Sequence, residues 1–322
     1  MKLSVLRKAL VGTGLVLFVS CATLAQPTAP AGAVLAGDDA LRAQYTLPNS
    51  RFMNIDGTPV HYVDEGSGPA ILLLHGSYSS LRQWNVWAAE LKKKYRVIRF
   101  DMPPAGLSGP SAHGNYTTED NFQLIDTLTQ RLGVNRFMVI STSTGAITGV
   151  AYASLHPNKV IAQVFGNAVV GPFKYDPSKL SEDLKKALAE AATHPGYHKP
   201  EFWRQILLAN MEDKTKVTPE LAQEWTDLNN RALRMPTKAT KPSLTRTAED
   251  LKSIRVPTLV LWGAEDHEMG LEHAEAAMAL LPGPDKQLIV MPGCGHMMPP
   301  DCAGDALAKA MPFIDRVLQA AN

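Results

Sequence analysis

Residues 137–146 read FMVISTSTGA, and this stretch decides the fold. Phe137 to Ile140 form a short apolar run, suited to a strand covered on both faces. From Thr144 the pattern is helical and runs to His156, where Pro157 stops it. Between the two lies Ser141-Thr142-Ser143-Thr144-Gly145-Ala146. A residue at the apex of so tight a strand-to-helix turn needs small neighbours two positions to either side, because larger ones collide with the turning backbone. Ser141 and Gly145 meet that need, and Ala146 helps. The turn lifts Ser143 above the sheet. It aims the Thr144 backbone N–H at any developing oxyanion, beside the positive end of a helix.

Outward from this point, short apolar runs alternate with helical stretches. Arg51–Ile55 and Val60–Asp64 flank Asp56-Gly57, a hairpin turn signal. Ala70–His75 (AILLLH), Val97–Asp101, Phe137–Ser141 and Val160–Phe165 read as strands, as do Thr258–Trp262 and Gln287–Met291. Helices are expected over Leu81–Tyr95, from Thr117 or Thr118 to Gly133, over Leu271–Leu281, and in a final stretch ending at Asn322. This alternation predicts an α/β fold: a mostly parallel eight-stranded sheet with helices on both faces. It breaks over residues 169–246, where Ser181–Ala192, Pro200–Met211 and Pro219–Leu233 are helical and no strand is convincing. That block reads as an inserted helical cap between two core segments, 51–168 and 247–322.

Composition narrows the function. Of 322 residues, 45% are hydrophobic and 20% charged, with Lys and Arg totalling 32 against 31 Asp and Glu. Such a chain buries a sizeable core and carries no global basic field, which argues against nucleic acid as a partner. Aromatic residues, at 7%, are too few for a base-stacking platform.

The strand-turn-helix around Ser143 resembles the nucleophile elbow of the α/β-hydrolase fold superfamily, in its serine branch of esterase- and lipase-like enzymes with a cap. The resemblance covers roughly residues 51 to 322. The usual elbow is G-x-S-x-G, and Ser141 stands in place of its first glycine. The resemblance implies a Ser-His-Asp triad of Ser143, Asp266 and His296, in that chain order and each after a separate strand. Asp266 falls on the loop Gly263-Ala264-Glu265-Asp266, with Glu265 its nearest rival; Glu265 and Glu268 read as surface-turn carboxylates. His296 lies in Pro292-Gly293-Cys294-Gly295-His296, where glycines let the imidazole project; among 9 histidines, this one matches the family's histidine loop. His75-Gly76-Ser77-Tyr78 implies a second oxyanion donor at the Ser77 backbone, partnering Thr144, with His75 positioning the loop. The loop Asp101–Ser108 is similar to the family's D-x-P-G-x-G-x-S, with Pro104 in place of a glycine, and shapes the site. The cap aromatics Phe173, Tyr175, Tyr197, Phe202, Trp203 and Trp225 are partly cap core and partly pocket. Phe173 and Trp203, with Tyr78 and Trp84, are the expected substrate pocket.

Residues 1–25 read as an export signal: Lys2, Arg7 and Lys8, then a charge-free run from Ala9 to Ala25, with Thr23 and Ala25 suited to cleavage before Gln26. A lipoprotein anchored at Cys21, following Phe18-Val19-Ser20, is the alternative, and the only route by which a membrane becomes a partner. Removing the signal takes three basic and no acidic residues, so the mature chain is nearly neutral. Residues 26–50, rich in Pro, Ala and Gly, read as a flexible tether. Export places Cys294 and Cys302 where disulfides persist, and a disulfide between them is expected to hold the His296 loop onto the last helix. Zinc is a rival without a nearby C-x-x-C or H-x-x-H, and two free thiols remain the other alternative.

The function expected is therefore an exported serine hydrolase that cleaves a small carboxylic ester or lactone through an acyl-enzyme, with no metal and no cofactor. Around GTPVHYVDEG (residues 57–66) the sequence also resembles haloalkane dehalogenases and epoxide hydrolases, which carry Asp at the elbow where this chain has Ser143. A C–C bond hydrolase of the meta-cleavage-product type uses the same triad and is the enzymatic alternative. A ligand-binding receptor on the hydrolase scaffold is the non-enzymatic one. The oligomeric state is left open.

Overall fold

The computed structural model describes residues 35–170, 177–236 and 246–320. The expected signal at 1–25, Cys21, Phe173 and Tyr175 lie outside the described residues.

The chain order explains the layers. Helix α1 (Asp38–Tyr45) precedes strands β1 (Ser50–Ile55), β2 (Thr58–Glu65) and β3 (Ala70–Leu74). Asp56 and Gly57 take φ of 48° and 83° and close the β1–β2 hairpin; this left-handed pair matches the twist of the strands it joins. A 3-10 turn over Leu81–Trp84 leads into α2 (Asn85–Leu91), then β4 (Arg96–Phe100), α3 (Thr118–Arg131), β5 (Phe137–Thr142), α4 (Thr144–Leu155) and β6 (Val160–Gly166). Helices α5 (Glu182–Ala191), α6 (Pro200–Asn210), α7 (Pro219–Ala232) and α8 (Thr247–Ser253) follow. The chain then returns through β7 (Thr258–Gly263), α9 (Leu271–Leu280), β8 (Lys286–Met291), the short α10 (Met298–Asp301) and α11 (Ala303–Ala320).

The strands form one eight-stranded sheet in the order β1-β2-β4-β3-β5-β6-β7-β8. Pairings β1–β2 and β2–β4 are antiparallel, and all others are parallel. Every residue of β3, β5 and β7 is buried, as unbroken apolar runs require when helices cover both faces. One face packs against α3, α4, α8 and α9 through Ile125, Val150, Leu251 and Ala274. The other packs against α2 and α11 through Trp87, Leu91, Leu307 and Ile314. Helix α3 starts with a reciprocal capping box, the Thr117 side chain and Asp120 satisfying each other's backbone N–H.

Two expectations need correction. The helix foreseen over Leu81–Tyr95 is a 3-10 turn followed by the shorter α2, with the Ser80 hydroxyl accepting from the Arg82 N–H. The tether foreseen over 26–50 is ordered structure from Asp38 onward. Helix α1 buries Leu41 and Tyr45 and docks on α7: Arg231 forks onto both Asp38 carboxylate oxygens at 2.8 and 2.9 Å, and the Tyr45 hydroxyl donates to Asp227 at 2.7 Å. Arg231 also donates to the Gly106 and Ser108 carbonyls, so one guanidinium joins α1, α7 and the Asp101–Ser108 loop. Proline, alanine and glycine usage concealed this, because an eight-residue helix with only two inward apolar residues shows a weak periodic signal.

Helices α5, α6 and α7 pack on one another around Leu184, Phe202, Trp203, Leu207 and Trp225. Proline opens both α6 and α7 at the first helical position, where its missing N–H costs nothing. They roof the ends of the parallel strands, which is where the chain places its polar loops.

Candidate active site

Strand β5 ends at Thr142 and α4 begins at Thr144, so Ser143 alone makes the turn, at φ 54° and ψ −129°. A non-glycine residue held there is strained, and the strain is tolerated only where surrounding packing leaves no alternative. Here the Ser143 N–H donates to the Gly166 carbonyl at 3.0 Å, and its own carbonyl takes the Ala146 N–H at 2.9 Å. Gly145 lets α4 approach β3: a Cβ there would lie 2.4 Å from the His75 carbonyl oxygen and 2.6 Å from that of Leu74. The serine at 141 is accommodated because its hydroxyl faces Gly149, where a Cβ would approach it to 2.7 Å.

The Ser143 hydroxyl sits 3.0 Å from His296 Nε2, and His296 Nδ1 lies 2.9 Å from Asp266 Oδ2. Asp266 accepts only, so Nδ1 carries a proton and, in the neutral ring, Nε2 is free to accept from Ser143. Asp266 is fully engaged. Its Oδ2 also takes the Asn167 amide at 2.7 Å, and its Oδ1 takes the backbone N–H groups of Glu268 at 2.9 Å and Met269 at 2.7 Å. Burial pushes its carboxyl up, but His296 and these donors outweigh that and hold it below its ordinary value. For His296 burial works against the charged form. Asp266 and Glu268 prevail, raising the imidazole to about 9.

The three sequence-predicted residues thus meet, from the ends of β5, β7 and β8. Ser77 and Thr144 also come together, their hydroxyls 3.1 Å apart beside Ser143. As the first residue of α4, Thr144 has an N–H with no carbonyl partner inside its helix. His75 is buried; its Nε2 accepts the Met102 N–H and its Nδ1 donates to the Gly76 carbonyl, both at 2.8 Å, so both ring nitrogens serve the loop. Burial depresses its proton affinity, in keeping with a neutral ring. Asp101 anchors the neighbouring loop: its carboxylate accepts from the Leu81 and Leu107 N–H groups, each at 2.7 Å, and pairs with His61.

The cleft above Ser143 measures about 810 Å³ including its open mouth. Tyr78 lines it, as expected. Two other pocket expectations are overturned. Trp84 is 1% exposed and packs edge-on to Trp87 beneath the sheet, beside Ile140 and Met298. Leu81, Trp84, Trp87, Ala88 and Leu91 share the inner stripe of that segment, and full burial of a large apolar ring wins there. Trp203 is fully buried among the cap helices. It backs Tyr78 at 5.4 Å and leaves the cleft wall to Trp225 and Ile206. Phe173 lies outside the described residues.

Three functional positions escaped sequence reasoning. Asn167, at φ 52° just after β6, orients Asp266; a Gly-Asn pair closing a strand was its available signal, since Asn tolerates left-handed backbone. Asp301 is buried and accepts N–H groups from Gly295 at 2.7 Å, Glu212 at 2.7 Å and Asp213 at 2.9 Å, tying the His296 loop to the segment after α6. Glu268 was read as a surface carboxylate. Instead it enters the cleft wall, its Oε2 3.9 Å from His296 Nε2. Glu265, the rival of Asp266 in the sequence, braces the histidine loop, accepting the Cys294 N–H at 3.1 Å.

Cys294 and Cys302 are joined in a disulfide, their Cα atoms 5.6 Å apart, which fastens the His296 loop to the junction of α10 and α11. No group of three or more His, Cys, Asp or Glu suited to a metal ion occurs among the described residues.

A sequence model of the Alpha/beta hydrolase family matches residues 71–310. A 2-hydroxy-6-oxononadienedioate/2-hydroxy-6-oxononatrienedioate hydrolase of Burkholderia vietnamiensis is 30% identical over 267 residues, covering 77% of this chain and 89% of its own. Among solved structures, the meta-cleavage product hydrolase of Pseudomonas fluorescens superimposes with a TM-score of 0.68 at 22% identity, covering 84% of this chain and 98% of its own. The naproxen esterase (carboxylesterase NP) of Bacillus subtilis also gives 0.68, at 18% identity, covering 86% of this chain and 95% of its own. At these identities the two structures speak to the fold alone.

Proposed function

Because the chain belongs to the alpha/beta hydrolase family, we propose that it is a serine hydrolase whose substrates are uncharged carboxylic esters or lactones. One observation carries this reading. Above the Ser143–His296–Asp266 relay, the cleft presents Tyr78, Ile147, Ile206 and Trp225, and its only charged side chains among the described residues are His296 and Glu268. No Lys or Arg lines it among those residues. A substrate carboxylate there meets the Glu268 carboxyl and finds no Lys or Arg, only the catalytic imidazole, which must be neutral to act as base, at a cost that rises as water is excluded.

In this reading His296 Nε2 takes the Ser143 proton while the oxygen attacks the ester carbonyl carbon. The Ser77 and Thr144 backbone N–H groups hold the oxyanion. His296 returns the proton to the departing alcohol as the C–O bond breaks, leaving an acyl-serine. Water, deprotonated by the same imidazole, adds to the acyl carbon, releases the acid and restores Ser143. The charge-free run ending at Ala25 supports an exported site of action.

A second reading, C–C bond hydrolysis, rests on the relatives, whose names specify 2-hydroxy-6-oxo dienoate and dienedioate substrates; the same relay suits that chemistry. A panel of neutral p-nitrophenyl esters, lactones and 2-hydroxy-6-oxodienoates separates the two, with Ser143→Ala as control. Ester turnover that vanishes in Ser143→Ala, with fluorophosphonate labelling of wild type, is the expected result. Dienoate cleavage without ester turnover transfers the assignment to the second reading. Neither turnover nor labelling leaves only a binding protein.

A further inference from the structure

Asp266 holds His296 through Nδ1, but the opposite nitrogen also faces two groups. Ser143 Oγ lies 3.0 Å from Nε2, and Glu268 Oε2 lies 3.9 Å from it. The Glu268 side chain keeps 19% of its surface open, toward the cleft it lines. We infer that Glu268 is a positioning residue acting through His296: a second carboxylate on the base, competing with Ser143 for the Nε2 proton and thereby setting the pH at which the site becomes active. This inference rests on the serine-hydrolase reading for its kinetic consequence only.

In the neutral ring Nε2 is an acceptor, and only Ser143 has a hydrogen to give it. Once protonated, Nε2 is a charged donor, and an ionised carboxylate is a stronger partner than a hydroxyl. Glu268 therefore stabilises the inactive, protonated base in the open cleft. The other titratable groups facing the pair do not offset this. Asp266 favours the imidazolium from the Nδ1 side, while Tyr78, pushed up to about 12 chiefly by burial and also by Glu268, stays neutral. The neighbouring His267 is exposed on the outside of the loop. From the cap, Ile206, Asn210 and Trp225 bring no charge. Burial raises Glu268 itself, so carboxyl and imidazole titrate as a coupled pair. The same carboxylate also favours the imidazolium that forms during acylation. Removing it thus helps the resting enzyme at neutral pH and hurts the transition state at high pH.

The test is the pH profile of kcat/KM for p-nitrophenyl butyrate in wild type, Glu268→Gln and Glu268→Asp, together with a 15N NMR titration of the His296 ring in unliganded enzyme. Expected is a fall in the His296 midpoint by about one pH unit or more in Glu268→Gln, a tenfold change in its acid constant. The kinetic profiles should cross, with the Gln variant faster near pH 6.5 and slower near pH 9.5, and the Asp variant between. A merely structural role lowers activity at every pH without moving the midpoint. A His296 midpoint unchanged in both Gln and Asp variants overturns the inference. A midpoint that moves in an enzyme with no ester turnover upholds the Glu268 coupling and rejects the ester reading, so the two fail separately.

Discussion

Asp266→Asn isolates the steering carboxylate with the least disturbance to the fold. The amide oxygen can still accept the Glu268 and Met269 N–H groups, now met by Oδ1 at 2.9 and 2.7 Å. The new NH₂ then faces Asn167, whose own amide donates to Asp266 in the native site. Asn167 can rotate, because its Oδ1 is buried with no partner among the described residues and gains one by turning. The hydrogen bonds of the site should therefore stay satisfied and the variant stay folded, with the stability it loses confined to pH below about 9, where His296 is charged. The chemistry should not survive. An NH₂ opposite His296 Nδ1 demands an acceptor there, which puts the ring proton on Nε2, against Ser143. The imidazolium also loses a carboxylate 2.9 Å away. At an effective dielectric constant of about 20 that attraction is ~6 kcal/mol before desolvation is deducted. A loss of roughly 10³–10⁴ in kcat corresponds to about 4–5.5 kcal/mol of barrier, consistent with that bound. The assay is kcat and KM on a neutral p-nitrophenyl ester, with fluorophosphonate labelling rate and thermal unfolding of the same preparation. A folded Asp266→Asn enzyme keeping more than about a tenth of wild-type kcat would refute the steering argument.

Other outcomes follow from the same contacts. Replacing Cys294 and Cys302 together with Ser should cost about 2–3 kcal/mol, from a bridge spanning eight positions, and lower kcat by loosening the His296 loop; unchanged urea unfolding would show that Asp301 alone carries the anchoring. Gly145→Ala should destabilise the protein by roughly 1–3 kcal/mol or leave it insoluble, since its Cβ meets main-chain oxygens that cannot move aside, and a wild-type melting temperature contradicts this. Folding raises His296 from an ordinary 6.5 to about 9, so the stability it contributes is complete below pH 6.5 and is lost as pH climbs through 9. Stability measured by denaturant at pH 6 and pH 9.5 should fall more steeply in wild type than in His296→Gln, and equal slopes count against the raised affinity.

Much of the architecture was legible because it depends on local pattern. Unbroken runs such as AILLL and FMVIS can satisfy both sheet faces only between helix layers, so β3 and β5 declare themselves. The cap helices α6 and α7 begin at prolines and were visible for that reason. Helices α1, α8 and α10 were not, being of 8, 7 and 4 residues and held by tertiary contacts such as Arg231 with Asp38. At the site, Ser143, Asp266 and His296 stood out because each follows its own strand with a turn that frees its side chain. Trp84 and Trp203 misled because an aromatic residue near a cleft has the same composition whether it lines the wall or stands behind it, and only packing distinguishes the two.

The order of strands and helices, the elbow and the three reacting side chains belong to the sequence itself, since strand period, turn sterics and residue chemistry are properties of short segments. The rest was decided in three dimensions: that α1 docks on the cap, that Asn167 and Asp301 hold the acid and the histidine loop, and that Glu268 turns from the surface to face the base. Those contacts join residues as much as 193 positions apart in the chain, and burial and electrostatic field have no local signature from which they could be read.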